Sequence, residues 1–523
     1  MGTYINKGNE AFRACLNSEY VDKSGLIEIV NNTLFTRQRF SCVTRSRRFG
    51  KSMAAEMLCA YYDKSCDSRQ LFADLEIAKC PTFEEHLNKY VVLYLDMTNF
   101  VTRYHDDDIV GAIETTLMEE VAKAYPQVSA DGCYDLMDLL LRVRRETNER
   151  FFFIIDEWDA ICREFKPGTE AMDRYVTWLR RMFKSADGID AFAGVYMTGI
   201  LPVKKYKTES ALNNFQEYSM VEPGKMGKYF GFTKDEVRAL AIKHDMDFDE
   251  LVKWYDGYQI GDELSMFNPN SVMQAVQRGR CRSFWASTGS FDAVAGYIKM
   301  NFEGLKDDVI SMVAGGRVKV NTTKFQNDMS IIRSKDDVLT VLIHLGYLSY
   351  NWKKHECYVP NYEVMGELTN AVEETNWTNL VNALGQSEQL LQDTLDGDEE
   401  AVAAALDMAH DEHTSILSYN NENSLACVLR IAYYYAINDY IIHRELPTGK
   451  GFADIVLIPR KNVDKPAMVI ELKYNQYADT AISQIKRKQY PAKVAEYADN
   501  LLLVGINYNK QEKRHTCKIE QAV

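Results

Sequence analysis

Short, nearly unbroken apolar runs recur through the first part of the chain: Phe40-Ser-Cys-Val43, Val91-Val-Leu-Tyr-Leu95, Phe151-Phe-Phe-Ile-Ile155 and Phe192-Ala-Gly-Val-Tyr-Met197. Stretches of helical period, such as Met53 to Tyr62, lie between them. Runs without polar alternation read as strands buried on both faces, and their alternation with helices predicts a parallel α/β sheet over residues 1–210. The pattern then changes. Residues 211–290 carry crowded aromatic motifs and two helix starts, Thr233 with Glu236 and Asn268-Pro269, and are expected to form a helical lid. Residues 291–415 read as helix-rich, and Ser387 to His413, acidic and rich in alanine, reads as a connector between domains. Residues 416–523 run helix, strand, strand, helix, which predicts a second α/β domain.

The first chemical signal sits where the first strand meets its helix. Phe40–Thr44 runs into a basic turn, Arg45-Ser-Arg-Arg-Phe-Gly-Lys-Ser52, and strand, turn and helix in that order are the context a phosphate-binding loop requires. The backbone N–H groups of Arg47, Arg48, Phe49 and Gly50, with the helix N-terminus, would face the phosphates. Lys51 would reach the β and γ oxygens, and Ser52 would be a Mg²⁺ ligand. Arg45 stands where the usual pattern has its first glycine. A second signal answers that departure: the run Phe151–Ile155 ends in Asp156-Glu157. Asp156 would hold Mg²⁺ through water, and Glu157 would orient the attacking water. A further strand candidate, Val91–Met97, between the two motifs in sequence marks the additional-strand class of NTPases. Thr198, at the end of the Phe192 run, is a candidate sensor of the γ-phosphate.

The second signal lies near the C-terminus. Asp454 stands on one strand, Glu471 and Lys473 lie two apart on the next, and alternate strand residues share a face. Phosphodiester hydrolysis needs carboxylates to hold Mg²⁺ and a cation to position water. Asp454 and Glu471, with the carbonyl of Leu472, would be metal ligands. Lys473 would position the nucleophile. Glu422 would enter from the preceding helix and Gln484 from the following one, which also offers basic residues to a nucleic-acid backbone. A salt-bridged hairpin is the plainer alternative, but ionised groups closing an apolar strand are costly without a partner or metal.

Composition narrows the setting. A chain of 523 residues with 46% hydrophobic and 26% charged residues has the make-up of a multidomain globular protein. No apolar run is long enough for a membrane span, the N-terminus has no secretory h-region, and 11 scattered cysteines without a CxxC pair fit reduced thiols. Cytoplasmic residence without membrane contact is expected. The formal charge of −14 lies almost wholly in residues 1–400, since residues 401–523 hold 15 Lys+Arg against 14 Asp+Glu. A nucleic-acid site is therefore expected at the neutral C-terminal end.

The motifs YVDKS (20–24), RRFGKS (47–52), IDEWD (155–159), TGILPV (198–203), YFGFTKDEV (229–237), WYDGY (254–258) and FNPNS (267–271), with the ADIVL and VIELKY strands, resemble bacterial proteins that fuse an AAA-ATPase-like domain to a C-terminal PD-(D/E)XK nuclease-superfamily domain. Such proteins are commonly arginine-rich at the first loop glycine, so Arg45 follows their style. The resemblance implies a P-loop NTPase domain with helical lid and a restriction-endonuclease-like α/β/α domain. It also implies ATP and Mg²⁺ as cofactors at Lys51, Ser52, Asp156 and Glu157, and a nuclease centre at Asp454, Glu471 and Lys473 with Glu422 and Gln484 accessory. ATP-gated cleavage of DNA is the leading expectation, with RNA the weaker substrate and oligomeric assembly left open. The alternative is an ATP-switched signalling or scaffold protein whose nuclease-like domain binds without cutting.

Overall fold

The computed structural model describes residues 2–104, 108–165, 169–203, 205–206, 209–210, 212–261, 264–285, 291–300, 302–313, 315–325, 332–373, 378–413, 429, 432–433, 435–436, 439–448, 451–459, 463–487, 494 and 497–522. The chain gathers into two compact units. Unit 1 comprises Met1–Phe284 with Lys319–Glu363, and unit 2 comprises Trp285–Val318 with Val364–Val523.

In unit 1, strands β1 (Phe40–Thr44), β2 (Val91–Asp96), β3 (Phe151–Asp156), β4 (Phe192–Gly199) and β5 (Gln216–Tyr218) form a wholly parallel sheet in the order β2-β3-β4-β1-β5. Every residue of β1, β3 and β4 is buried. The two faces of the sheet feed two cores. Val43, Val92, Tyr94, Phe152 and Ile154 pack with helix α1 (Lys51–Tyr62). Cys42, Leu93, Leu95, Phe153 and Ile155 pack on the other face with α2 (Ile109–Ala124) and α3 (Leu136–Thr147). Two-sided burial is what makes these strands read as unbroken apolar runs.

Strand β4 lies between β1 and β3, which is the additional-strand order expected from the sequence. The strand that intervenes in space is Phe192–Gly199, however, and Val91–Asp96 lies beyond β3 at the sheet edge. Right-handed crossovers fix the hand of each connection but not how many places it spans, so sequence order alone does not identify the inserted strand.

Helices α4 (Ala160–Glu164) and α5 (Glu170–Lys184) follow β3. Three more, α6 (Lys234–Lys243), α7 (Phe248–Tyr255) and α8 (Pro269–Arg278), surround a core of Val237, Leu240, Leu251, Tyr255, Phe267 and Val272. The expected helix starts are present: Thr233 and Glu236 close a reciprocal capping box, and Asn268 caps α8 with Pro269 in its first turn.

The expected segment 291–415 is divided between the units. Helix α9 (Lys335–Leu345) and the hairpin of Ser349–Asn351 with Glu356–Tyr358 belong to unit 1. Hydrogen bonds tie this part in: Tyr258 Oη donates to the Gly346 carbonyl at 3.0 Å, the Gln259 amide to Ser349 Oγ at 2.9 Å, and Asn361 Nδ2 to the Asp256 carbonyl at 2.9 Å. Unit 1 runs from residue 1 through 284 and takes in 319–363 by long-range contacts, which local pattern does not report.

Unit 2 carries a mixed sheet of β6 (Tyr440–Thr448), β7 (Gly451–Pro459), β8 (Ala467–Tyr474), β9 (Leu501–Asn509) and β10 (Arg514–Gln521), in that order, with only β8 and β9 parallel. Its strands obey a period of two. Ile455, Leu457, Met468, Ile470 and Leu472 face helices α10 (Thr378–Asp396) and α11 (Glu399–His413), meeting Leu390, Leu391, Val402 and Leu406. Val456, Ile458, Val469 and Leu503 face α12 (Ala478–Arg487), meeting Ile482 and Ile485. This is a layered α/β/α arrangement.

The reading of Ser387–His413 as a connector is corrected by that arrangement. Those residues form part of α10 and all of α11 and cover one face of the sheet. Glu399 Oε1 accepts the Ile519 amide at 3.0 Å, and Asp407 Oδ1 accepts the His515 amide at 2.7 Å. An alanine-rich helix with a narrow apolar stripe imitates a solvated linker in sequence.

Candidate active sites

The first site is built where β1, β3 and β4 end. The chain leaves β1 at Thr44, turns through Arg45–Gly50 and enters α1. Gly50 is the N-terminal cap residue of α1 with φ 84°, and no atom lies within 4 Å of an added Cβ, so backbone conformation rather than crowding calls for glycine there. Arg48 shares the left-handed region at φ 69°. These turns bring Lys51 inward, 4% exposed, with Nζ 3.2 Å from the Ser46 carbonyl and 3.5 Å from Glu157 Oε1.

Glu157 also departs from ordinary backbone, at φ 52°. Its Oε2 accepts from Arg163 Nη2 on α4 at 2.5 Å, and Arg163 Nε stands 3.3 Å from Asp159 Oδ2. Asp159 in turn accepts the amides of Ile200 and Leu201 at 3.2 and 2.9 Å, fastening the end of β3 to the residues after β4. Asp156 is buried beside them. Thr198 Oγ1 donates to its Oδ1, Tyr94 Oη donates to Oδ2 at 3.4 Å, and the Ser52 side chain is a further hydrogen-bond partner. Burial pushes the Asp156 carboxyl above its usual range, against the opposing pull of Thr198, Ser52 and Lys51.

Three side chains of the turn differ from what the motif suggested. Phe49 is buried and meets Tyr258 edge to face, with ring centroids 4.9 Å apart, so its part at a ligand is limited to backbone. Arg48 Nη1 donates to the Phe284 carbonyl at 2.6 Å while still lining the cavity. Arg45 is fully buried. Its amide donates to the Gly199 carbonyl at 3.0 Å, its Nη1 to the carbonyls of Thr44 and Tyr218 at 2.8 and 2.9 Å, and its guanidinium lies 5.6 Å from the Phe230 ring centroid. In place of a glycine the turn has a strut joining β1, β4 and β5 from below. Burial brings its pKa down to about 10.

A cavity of about 1150 Å³ opens over Gly50, Lys51, Ser52 and Glu157, large enough for a nucleoside triphosphate. Arg47 lines it. Thr198 does not: it is fully buried, and its hydroxyl serves Asp156, behind the carboxylate rather than at the ligand. Sequence reasoning gave no role to Tyr20, Val21, Phe232 and Met273, which form an apolar wall of the same cavity. The YVDKS motif was a signal, but spacing could not show that it faces α8. The donor set fits a magnesium–nucleotide complex: an ammonium, a hydroxyl and two carboxylates around a helix N-terminus.

The second site lies on the α12 side of the unit 2 sheet. Since Met468, Ile470 and Leu472 face α10 and α11, alternation turns Glu471 and Lys473 toward α12. Glu471 is 1% and Lys473 7% exposed, and Lys473 Nζ stands 3.4 Å from Glu471 Oε1. Gln484 on α12 donates through Nε2 to that same oxygen. Ile455 pairs with Ile470 across β7 and β8, so the backbone of Asp454 directly precedes, and Glu471 directly follows, one cross-strand pair. The Asp454 side chain and all of Glu422 lie outside the described residues. Of the basic residues expected for a nucleic-acid backbone, Lys486 is engaged with Glu520 at 2.5 Å, and Arg487 Nε donates to the Ser483 carbonyl at 3.1 Å. Carboxylate, amine and amide converging on one face fit a magnesium-assisted phosphodiesterase centre.

The described cysteines are unpaired by disulfides, and burial pushes the Cys42 thiol well above its usual value. Among the described residues no helix is long and apolar enough to cross a membrane.

Comparison with known proteins finds two family models, one in each part of the chain. Residues 10–208 match the family model described as Predicted AAA-ATPase, and residues 420–518 match the PD-(D/E)XK nuclease superfamily. Among curated proteins nothing matches the chain. Among solved structures, that of the Aeropyrum pernix ORC2 protein in ADPNP–ADP complexes is similar at TM-score 0.30 and 13% identity, over 69% of this chain and 98% of that one, a likeness too low to bear on function.

Proposed function

We propose that this chain, which carries a predicted AAA-ATPase domain ahead of a PD-(D/E)XK nuclease-superfamily domain, is an ATP-hydrolysing, magnesium-dependent DNA nuclease in which nucleotide turnover in unit 1 gates cleavage in unit 2. The observation that carries the reading is the convergence of Lys473 and Gln484 on a single oxygen of Glu471, beside the pair that Asp454 precedes. A buried lysine and carboxylate on one strand face, met by an amide from the helix above, is costly as mere architecture and useful as a place to hold a scissile phosphate.

In unit 1, Lys51 and the amides of Arg47–Gly50 bind the β and γ phosphates, and Tyr20, Val21, Phe232 and Met273 shelter the base. Ser52 and Asp156 would hold Mg²⁺, which supplies charge neutralisation at the phosphates when bound. Glu157 orients the attacking water, and Thr198 holds Asp156 in position for its part. In unit 2, Asp454, Glu471 and the Leu472 carbonyl would hold Mg²⁺, Lys473 positions the nucleophile, and Gln484 fixes the Glu471 carboxylate.

The purified chain is expected to cut DNA only with Mg²⁺, in a time course on linear, circular and single-stranded substrates with and without ATP. Lys473→Ala is expected to abolish cutting while keeping the folded circular-dichroism spectrum; cutting that survives it removes the assignment. Glu157→Gln is expected to bind ATP without turning it over, and an ATP-independent nuclease would refute the gating. The scaffold reading is favoured by one observation, the net charge of −14, which is unhelpful to a DNA enzyme. Absence of cutting under every condition, with retained ATP turnover, would decide for it.

A further inference from the structure

Unit 1 contains a second cavity, of about 810 Å³, that the nucleotide site does not use. Its described walls come from four stretches: Val221–Lys228, which includes most of a short 3-10 helix (Gly224–Tyr229), then Ile260–Gly261, Val320–Thr323, and the hairpin of Ser349–Asn351 with Glu356–Tyr358. Trp352, on the turn of that hairpin, lines the cavity yet is 47% exposed. A tryptophan half in water at the lip of a cavity is a hydrophobic cost unless something stacks on it. Tyr350 lies beside it in the lining, with its hydroxyl 3.1 Å from His355 Nδ1.

The charge around this aromatic lip runs against that of the chain. Lys225 and Lys228 line the cavity and are exposed, and Lys353 and Lys354 are exposed on the hairpin turn. Among the described residues, Glu222 is the acid in the lining, and Glu356 on the hairpin is matched by Lys319 at 3.2 Å. In a chain of formal charge −14, lysines gathered about one exposed tryptophan form a local anion-attracting surface.

We propose that this cavity and hairpin bind a single-stranded polynucleotide, a base stacking on Trp352 while Lys225, Lys228, Lys353 and Lys354 follow the phosphates. Exposed aromatic surface interleaved with lysines is the recognition chemistry of single strands, tolerant of sequence because every base has a stacking face. The cavity volume suits one or two nucleotides. An acidic peptide would use the lysines but would gain little from an exposed indole. The site rests on unit 1 alone and stands whether or not unit 2 cuts.

The test is the anisotropy of an end-labelled oligothymidine titrated with the full chain in EDTA, which prevents cleavage. Trp352→Ala is expected to weaken binding roughly tenfold or more, and Trp352→Phe to restore most of it. Lys353→Glu with Lys354→Glu is expected to weaken binding and reduce the slope of log affinity against log salt by about 1.4, two phosphates' worth for a single strand. Unchanged affinity in Trp352→Ala overturns the proposal, as does competition by polyglutamate as effective as by unlabelled oligothymidine. Cutting of the same strand by wild type and Trp352→Ala in Mg²⁺ reports separately on the nuclease reading. Since Trp352 is exposed, its loss is expected to leave the melting temperature and ATP turnover unaltered.

Discussion

Lys51 meets Glu157 in unit 1 at 3.5 Å, and Lys473 meets Glu471 in unit 2 at 3.4 Å. The distances match and the construction differs. The unit 1 pair joins the start of a helix to the end of a strand two places away in the sheet, and a large cavity opens over it. The unit 2 pair sits on a single strand, two residues apart, closed in by α12 and by Gln484. A pair on one strand is held by backbone geometry and can be read from spacing; a pair across elements exists only once the sheet is assembled. The first kind tolerates burial, and the second leaves room for a ligand to come between its members.

The largest expected effects separate the two chemistries. Lys51→Ala should lower ATP turnover by about a hundredfold or more, and Lys473→Ala should do the same to magnesium-dependent cutting while sparing ATP turnover, measured by phosphate release and on gels. Loss of ATP turnover in Lys473→Ala would mean that the sites are one functional body and would break the contrast.

Stability should follow burial. Glu471→Ala leaves Lys473 enclosed without its carboxylate and is expected to cost about 3–5 kcal/mol. In Glu157→Ala the lost carboxylate is 20% exposed, and the buried Lys51 keeps the Ser46 carbonyl while Arg163 keeps Asp159, so a smaller loss of about 1–2 kcal/mol is expected. Denaturant titration of both variants checks the difference, and equal losses would show that the two pairs are alike in environment after all.

A smaller effect concerns acid. His344 on α9 is buried in unit 1, and burial, with the charge of Arg45 second, brings its pKa down to about 3. The unfolded chain takes up a proton below its ordinary value of about 6.5 and the folded unit does not, so this contribution is whole above that pH and is lost as pH falls toward 3. Unit 1 is therefore expected to lose about 1.4 kcal/mol per pH unit in that window. His344→Gln should flatten the dependence, as read from denaturant midpoints at pH 7.5 and 5.5. A slope unaffected by the substitution would place the acid sensitivity elsewhere.

The sequence by itself determined what local spacing can determine. Apolar runs ending in Asp156-Glu157, the Gly50-Lys51-Ser52 turn before a helix, and Glu471 with Lys473 on alternate positions each follow from backbone geometry within a few residues, so strands and loop were legible there. Tertiary structure decided the rest. It placed β4 between β1 and β3, gave Glu157 its partners Lys51 and Arg163, spent Arg45 as a strut and Thr198 on Asp156, turned Gln484 onto Glu471, and took 319–363 into unit 1. The physical reason is common to all of these. Periodicity says which face of an element is apolar, but which faces meet depends on burying all of them at once, and that is settled among residues far apart in the chain.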